Sequence, residues 1–341
     1  MCGVAGWGTA GWVAEVEDWV AEVLGGRHRL VHRETRAWST VWTVSTAAGT
    51  LWFKENCPAQ RGEAATHAAL AVLAPGYVEA PVAVEPERGW LLTRDGGMTL
   101  MNSTPGGTRG VEVETLIGLV RDYAGFQRRT VGRRDHLVAA GLRVSDPLDA
   151  AELAAEQAER LARFPVTDPR HLPAEHRDAV LAAAPALGAA GRELGDGPVP
   201  LALDQADLFP RNVFLPRPGG SYRFFDFADA VWAHPFGSLV MLVVECLHRW
   251  RIPAAGHIVD CRDRRIHAVV DAYLECWTDF APLPELRRLA ECALRIAPLH
   301  RTAAWLGILA DADEAALIKH GRTPWAWLED VTKPVIISGT T

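Results

Sequence analysis

Leu203-Asp-Gln-Ala-Asp207-Leu-Phe-Pro-Arg-Asn212-Val-Phe-Leu215 is followed, after a break, by Tyr222-Arg-Phe-Phe-Asp226-Phe-Ala-Asp229. Val213 to Leu215 and Tyr222 to Phe225 read as short strands, and Pro216-Arg217-Pro218-Gly219-Gly220 between them must turn the chain, which predicts a hairpin. Asn212 precedes the outgoing strand and Asp226 follows the returning one, so both side chains are expected at the same end. An amide oxygen and a carboxylate held there suit Mg²⁺, a hard ion that takes oxygen ligands and leaves room for phosphate oxygens. Asp207, five residues ahead of Asn212, can reach the same space, where a base would accept a proton from an attacking hydroxyl. Taken alone, Asp-x-x-x-x-Asn is a common spacing, because both residues favour turns. Its weight comes from what the rest of the chain adds.

The front of the chain supplies a cation. Gly11 to Leu24 places Trp12, Val16, Trp19, Val20 and Val23 at helical spacing and stops at Gly25-Gly26. Trp38 to Ser45 and Gly49 to Lys54 are rich in β-branched and aromatic residues and read as strands, with a turn at Ala47-Ala48-Gly49. Glu63 to Leu73 reads as a helix, and Val82 to Val84 and Gly89 to Thr93 as two further strands. Lys54 ends an apolar strand and is the only lysine in the first three hundred residues. Burying a lysine there is costly unless it meets negative charge, and Glu63, nine residues on, can provide it. Its ammonium is then aimed at the α- and β-phosphates of a nucleotide. Phosphoryl transfer asks mainly for such positioning and charge neutralisation.

Beyond the polar, Gly-rich break Arg94-Asp95-Gly96-Gly97 the chain turns helical. Apolar spacing predicts helices over Val111–Arg128, Asp149–Phe164, Ala174–Leu194, Phe236–Trp250, Arg265–Phe280 and Pro284–Ala310, interrupted by the segment from Pro198 to Asp229. The expected fold is α+β: a first lobe of sheet plus helix within residues 1–93 and a mainly helical second lobe over residues 94–341.

Asp207-x-x-x-x-Asn212 followed by Asp226-Phe-Ala resembles the catalytic-loop and metal-aspartate motifs of kinase-like phosphotransferases, and Lys54 with Glu63 resembles their first-lobe ion pair. Asp226-Phe-Ala-Asp-Ala-Val-Trp-Ala-His234-Pro-Phe and Tyr123-Ala-Gly-Phe-Gln127 are similar to stretches of the aminoglycoside phosphotransferase and choline kinase family. The resemblance runs from about Arg29 to His300. It implies a protein-kinase-like two-lobed fold with ATP or GTP between the lobes, and Leu91, Leu92 and Thr93 at the base edge. Asp207 would be the base, Asn212 and Asp226 would bind Mg²⁺, Lys54 would hold phosphates and Glu63 would orient Lys54. The acceptor would be a hydroxyl of an aminoglycoside-like antibiotic, an amino sugar, a sugar or a nucleoside-like metabolite, so that antibiotic resistance is one expected role. Acidic side chains commonly receive cationic acceptors in this family, and Asp229, Glu245 and Glu291 are the candidates here. Trp250, Trp277, Trp305, Trp325 and Trp327 fall where the family forms its acceptor pocket, and one of them, Trp305 for example, would stack on a flat or sugar face.

Three features depart from the family pattern. Gln205 stands where a histidine usually supports the loop, and an amide can hydrogen-bond in its place. Arg211 precedes the metal asparagine, where a small residue is common, and is a candidate for phosphate or substrate contact. The phosphate-covering loop, expected between Thr35 and Val41, has no glycine, so the hydroxyls of Ser39 and Thr40 and the backbone N–H groups would have to serve. These departures also favour an alternative, a pseudokinase-like module that binds nucleotide without transferring phosphate. A protein kinase is disfavoured, since no His-Arg-Asp and no Ala-Pro-Glu signature is present.

Bulk properties narrow the field further. A net charge of −7 and 23% charged residues give no basic field that would gather nucleic acid or an anionic membrane. The longest apolar run, near Leu239 to Val244, stops at Glu245, far short of the roughly 20 residues that span a bilayer. Six scattered cysteines without metal spacing, and no secretion signal at the N-terminus, predict a reduced cytoplasmic protein. Gly6-x-Gly8-x-x-Gly11 matches a dinucleotide fingerprint but has no strand ahead of it. His28 and His32 have no third ligand nearby and read as surface residues.

Overall fold

The computed structural model describes residues 6–103, 111–252 and 259–337. Helix α1 (Ala10–Leu24) opens the chain; Thr9 caps it by accepting from the Trp12 N–H, and Gly25 ends it at a left-handed φ of 60°. Then come β1 (His28–Thr35), β2 (Ser39–Thr46), β3 (Gly49–Asn56), α2 (Glu63–Leu73), β4 (Ala83–Glu85) and β5 (Trp90–Arg94). The strands form one five-stranded antiparallel sheet in the order β1-β2-β3-β5-β4. The sequence predicts two strands before α2, and the structure has three. The extra strand, β1, reads His-Arg-Leu-Val-His-Arg-Glu-Thr; it is an edge strand that faces water along much of its length, so it lacks the apolar signal of a strand.

Strand alternation gives the sheet two different faces. One packs on α1, where Trp12, Val16 and Val20 meet Trp42, Val44, Phe53, Trp90 and Leu92 in a small core. Glu55 is buried in the same face and accepts from the indoles of Trp12 (2.8 Å) and Trp90 (2.7 Å). The other face, carrying Val41, Trp52, Lys54, Leu91 and Thr93, looks on a cleft.

The second lobe is mainly helical. Its elements are α3 (Leu100–Ser103), α4 (Val113–Thr130), α5 (Arg134–Ala139), β6 (Arg143–Val144), α6 (Ala150–Ala162), α7 (Ala174–Gly195), β7 (Ala202–Asp204), β8 (Val213–Phe214), β9 (Arg223–Phe224) and β10 (Val231–Ala233). After these come α8 (Leu239–Arg249), β11 (Val259–Asp260), α9 (Arg264–Leu274), α10 (Leu283–Ile308), α11 (Glu314–His320), α12 (Thr323–Asp330) and β12 (Val335–Ile336). The predicted hairpin is β8 with β9, an antiparallel pair whose turn contains Gly219 at a φ of 74°. A single large core, with Tyr123, Phe126, Phe224, Phe236, Tyr273 and Trp277 fully buried, fixes the helices beneath this hairpin. Among the described residues no helix is long and apolar enough to cross a membrane.

Candidate active site

Because Phe53 and Glu55 face α1, Lys54 between them must face the cleft. Its Nζ lies 2.7 Å from Glu63 Oε2 and 2.7 Å from Asp226 Oδ1. Glu63, almost fully buried at the start of α2, also accepts from Asn56 Nδ2 and, through Oε1, from the Phe227 N–H at 2.9 Å. One carboxylate thus ties the sheet, α2 and the segment just after Asp226 together. Burial works against the charge on Lys54, but the carboxylates of Asp226 and Glu63 more than offset it and raise its pKa. Burial likewise pushes the Asp226 carboxyl up, and Lys54, with help from Arg211 and Arg36, brings it below the ordinary range. Asp226 sits at a φ of 63°, a left-handed conformation costing on the order of 1 kcal/mol or more for a residue with a Cβ. That twist is part of how its carboxylate meets Lys54.

Asp207, which is not among the residues lining the cleft, is 9% exposed. Its Oδ2 accepts from Asn212 Nδ2 (2.8 Å) and Arg211 Nη2 (3.3 Å). Its Oδ1 has no hydrogen-bond partner and lies 3.6 Å from Arg301 Nη1. Burial raises the pKa of this carboxyl, with Arg301 opposing. The Asn212 amide also donates to the Asp207 carbonyl (3.0 Å), and the Phe225 N–H donates to the Asn212 carbonyl at 3.2 Å, which brings Asn212 beside Asp226 as the hairpin required.

The loop carrying Asp207 is held from below. Gln205 donates through Nε2 to the carbonyl of Phe225 (2.6 Å), so it links the Asp207 loop to the backbone just before Asp226. Its own N–H is received by Tyr123 Oη at 3.1 Å, and that hydroxyl meets Ser238 Oγ at 2.7 Å. Ser238 donates to the buried Asp204 (2.6 Å), whose carboxyl is pushed up to about 6 by burial. Gln127 donates to the carbonyls of Leu203 (2.7 Å) and Pro235 (3.0 Å). The Tyr123 to Gln127 segment therefore acts as the bracket under this loop.

Sequence reasoning missed Arg301. This residue of α10 is buried, donates to the Ala206 carbonyl at 3.1 Å, and forms an ion pair with Asp229 besides facing Asp207. A signal for it exists: Arg301 follows Leu294 and Ala297 on the apolar face of α10, where an arginine is tolerated only if paired.

The other expected site residues divide by face. Ser39, Leu91 and Thr93 line the cleft. Thr40 and Leu92 do not: their side chains turn to the α1 side, where the Thr40 hydroxyl accepts from Trp42 Nε1 (2.9 Å) and meets Thr35 Oγ1 (2.8 Å), and Leu92 packs in the small core. Arg211 is half exposed beside Asp207. Asp229, expected to receive a cation, is already engaged by Arg301 and Gln60. Glu245 is paired with Arg249 (2.8 Å), and Glu291 accepts from the Ile337 N–H (2.9 Å). Trp305 is not among the residues lining the cleft; its ring lies 5.5 Å from that of Trp38, which is.

The cleft holds a cavity of about 380 Å³. Away from Lys54 it passes between Val41 and Trp52 of the sheet and Phe214 of the hairpin. Phe214 stacks on Phe225 at 4.3 Å, and Gly96 lies so close that a Cβ there would fall 2.2 Å from the Phe214 ring. A flat, rigid shelf results. Arg223, buried, pairs with Glu79 and donates to the Gly96 carbonyl at 2.9 Å, fixing the interlobe connection to the hairpin.

No protein-family model and no curated protein matches the chain. Solved structures do. An ethanolamine kinase of Plasmodium vivax superposes with a TM-score of 0.61 at 12% identity, over 92% of this chain and 85% of that one. The GDP complex of aminoglycoside 2'-phosphotransferase-IIIa gives 0.61 at 15% identity, over 94% of this chain and 98% of the other. A choline/ethanolamine kinase family protein of Mesorhizobium loti gives 0.53 at 18% identity, over 93% and 94% of the two chains. At such identities the likeness establishes the fold, which is the two-lobed protein-kinase-like architecture, over nearly the whole chain.

Proposed function

We propose that this protein is a small-molecule kinase that transfers the γ-phosphate of ATP or GTP to a hydroxyl group. The observation that carries the reading is the convergence of Lys54, from the sheet, on Asp226 and Glu63, beside a buried Asp207 with one unpartnered oxygen. A nucleotide base fits the shelf of Phe214, with Leu91 and Thr93 along its edge and the phosphates toward Lys54. The acceptor oxygen would attack the γ-phosphorus as the bond to the β,γ-bridging oxygen breaks. Its proton would pass to Asp207 Oδ1, and the nucleoside diphosphate would leave.

Mg²⁺ suits the donors present. Both hydrogen bonds of the Asn212 amide go to Asp207, which leaves the amide oxygen for a cation, and the Asp226 carboxylate is 37% exposed to the cleft. Among the described residues no group of three or more His, Cys, Asp or Glu would hold a metal by itself. Phosphate oxygens would therefore complete the shell, and the ion would neutralise the charge that builds on them.

The structural neighbours are named for kinases of ethanolamine and choline and a phosphotransferase of aminoglycosides, which supports a small hydroxylated acceptor. Since Asp229 and Glu245 are neutralised by Arg301 and Arg249, a sugar- or nucleoside-like hydroxyl fits better than a polycation. On this reading residues 1–93 bind the nucleotide phosphates, and residues 94–341 supply the base, the metal ligands and the acceptor pocket. The cysteines at 57, 246, 276 and 292 are free thiols, in keeping with a cytoplasmic setting.

The test is a screen of purified protein with Mg·ATP and Mg·GTP against hydroxylated metabolites and antibiotics, read as a mass gain of one phosphate. Asp207→Asn should lower transfer by about 10²–10⁴-fold while Mg·nucleotide still raises the melting temperature. A wild-type protein that gains stability from Mg·nucleotide but phosphorylates nothing and hydrolyses nothing would favour the binding module. No stabilisation by either nucleotide would end the kinase reading.

A further inference from the structure

The β1–β2 turn, residues 36–38, lies over the phosphate end of the cleft without a glycine. A glycine-rich loop approaches phosphate with its bare backbone. In this turn Arg36, Ala37 and Trp38 all carry side chains, which restrict how closely a phosphate can approach the backbone. The Arg36 N–H donates to the Ser39 carbonyl (2.8 Å), closing the turn, and the Trp38 carbonyl accepts from the Cys57 N–H just past β3 (2.8 Å).

Two side chains replace what the backbone gives up. Trp38 reaches across to the helical lobe, where its ring lies 5.5 Å from Trp305 and 5.5 Å from His320, edge-on to both. Those two rings stack on each other at 5.3 Å. Ala37 and Trp38 also join an apolar cluster around Cys57, Ile308 and Leu309. Trp305 is one helical turn beyond Arg301 on α10, so the docking point and the partner of Asp207 share a face of one helix. Arg36, meanwhile, lines the cleft with Lys54 and Asp226, and its charge reaches Asp226. Its guanidinium is 49% exposed, tethered by Glu34 at 2.6 Å and lying over the Trp38 ring at 5.4 Å.

Resting on the kinase reading above, we propose that Arg36 is a phosphate-contacting residue, held over the Lys54–Asp226 pair by the docking of Trp38 on the Trp305–His320 stack. A planar guanidinium offers a phosphate two parallel donors and is always charged, which suits it to this task. The roof of the site is set in advance by apolar docking, and a side chain supplies the donors.

Calorimetric titration separates the idea from its premise. Wild-type protein, Arg36→Gln, Arg36→Lys, Trp38→Leu and the Arg36→Gln/Trp38→Leu double variant are titrated with Mg·ATP or Mg·GTP, whichever binds tighter, and with the matching nucleoside. Arg36→Gln should bind the triphosphate about tenfold or more weakly and the nucleoside as wild type does, the loss expected for one charge-assisted contact. Arg36→Lys should recover part of it. Trp38→Leu should weaken triphosphate binding in the same direction, and the double variant should be no weaker than Arg36→Gln alone, because Trp38 acts through Arg36. Unchanged triphosphate affinity in Arg36→Gln, a parallel loss of nucleoside, or additive effects of the two substitutions would each overturn the proposal. If the wild type binds no nucleotide, the kinase reading itself fails; if it binds and Arg36→Gln binds equally well, this inference alone is wrong.

Discussion

The floor of the cleft, from Asp204 to Asp229, is secured by polar groups reaching in from other elements: Tyr123 and Gln127 of α4, Ser238 ahead of α8, Arg301 of α10. Its roof, the turn over residues 36–38, is secured mainly by aromatic rings pressed against α10 and α11. A buried polar network has few acceptable arrangements, because each unpaired member carries a desolvation cost. Ring packing tolerates displacement by small steps. The floor should therefore fail abruptly on substitution and the roof gradually.

The largest effect is expected at Arg301. Arg301→Met fills the space but leaves Asp229 and Asp207 without their shared cation, and breaking a buried ion pair in this way costs about 3–5 kcal/mol. Urea unfolding should show the midpoint falling accordingly, with Arg301→Lys retaining part of the stability. A midpoint equal to wild type would mean that the floor does not depend on this network.

Next comes Gln205, beneath the Asp207 loop. Gln205→Leu removes the donor to the Phe225 carbonyl and also removes a buried amide oxygen that has no partner, so the two changes partly cancel. The net loss should be about 1 kcal/mol in urea, with Gln205→His restoring most of it through a ring N–H. Loss of phosphoryl transfer far beyond what that stability change explains would show that Gln205 positions Asp207 more directly than its hydrogen bonds suggest.

These two residues also show what could be read from the sequence. Asp207, Asn212 and Asp226 were legible because a short loop and a hairpin fix their relation locally. Lys54 and Glu63 were legible because a lysine on an apolar strand demands a nearby acid. Arg301 was not, since its meeting with Asp207 depends on where α10 crosses the loop, and nothing within the helix sequence specifies that crossing. Strand β1 escaped because a charged edge strand carries no apolar period.

Thr40 and Leu92 fail for a subtler reason, and they provide the smallest expected effect. In a sheet covered by α1 on one side and by a cleft with apolar walls on the other, both faces take apolar residues, so alternation does not reveal which parity looks on the cleft. The structure assigns Ser39, Val41, Leu91 and Thr93 to the cleft, and Thr40 and Leu92 to the core. Thr40→Val should then leave Mg·nucleotide affinity within about twofold of wild type, since the buried hydroxyl faces α1 and does not line the cleft. It should cost stability by about 0.5–1.5 kcal/mol, because the Trp42 indole N–H loses its acceptor. Nucleotide binding weakened tenfold without a change in the unfolding midpoint would place the hydroxyl in the cleft after all, and the parity assigned to β2 would have to be reversed.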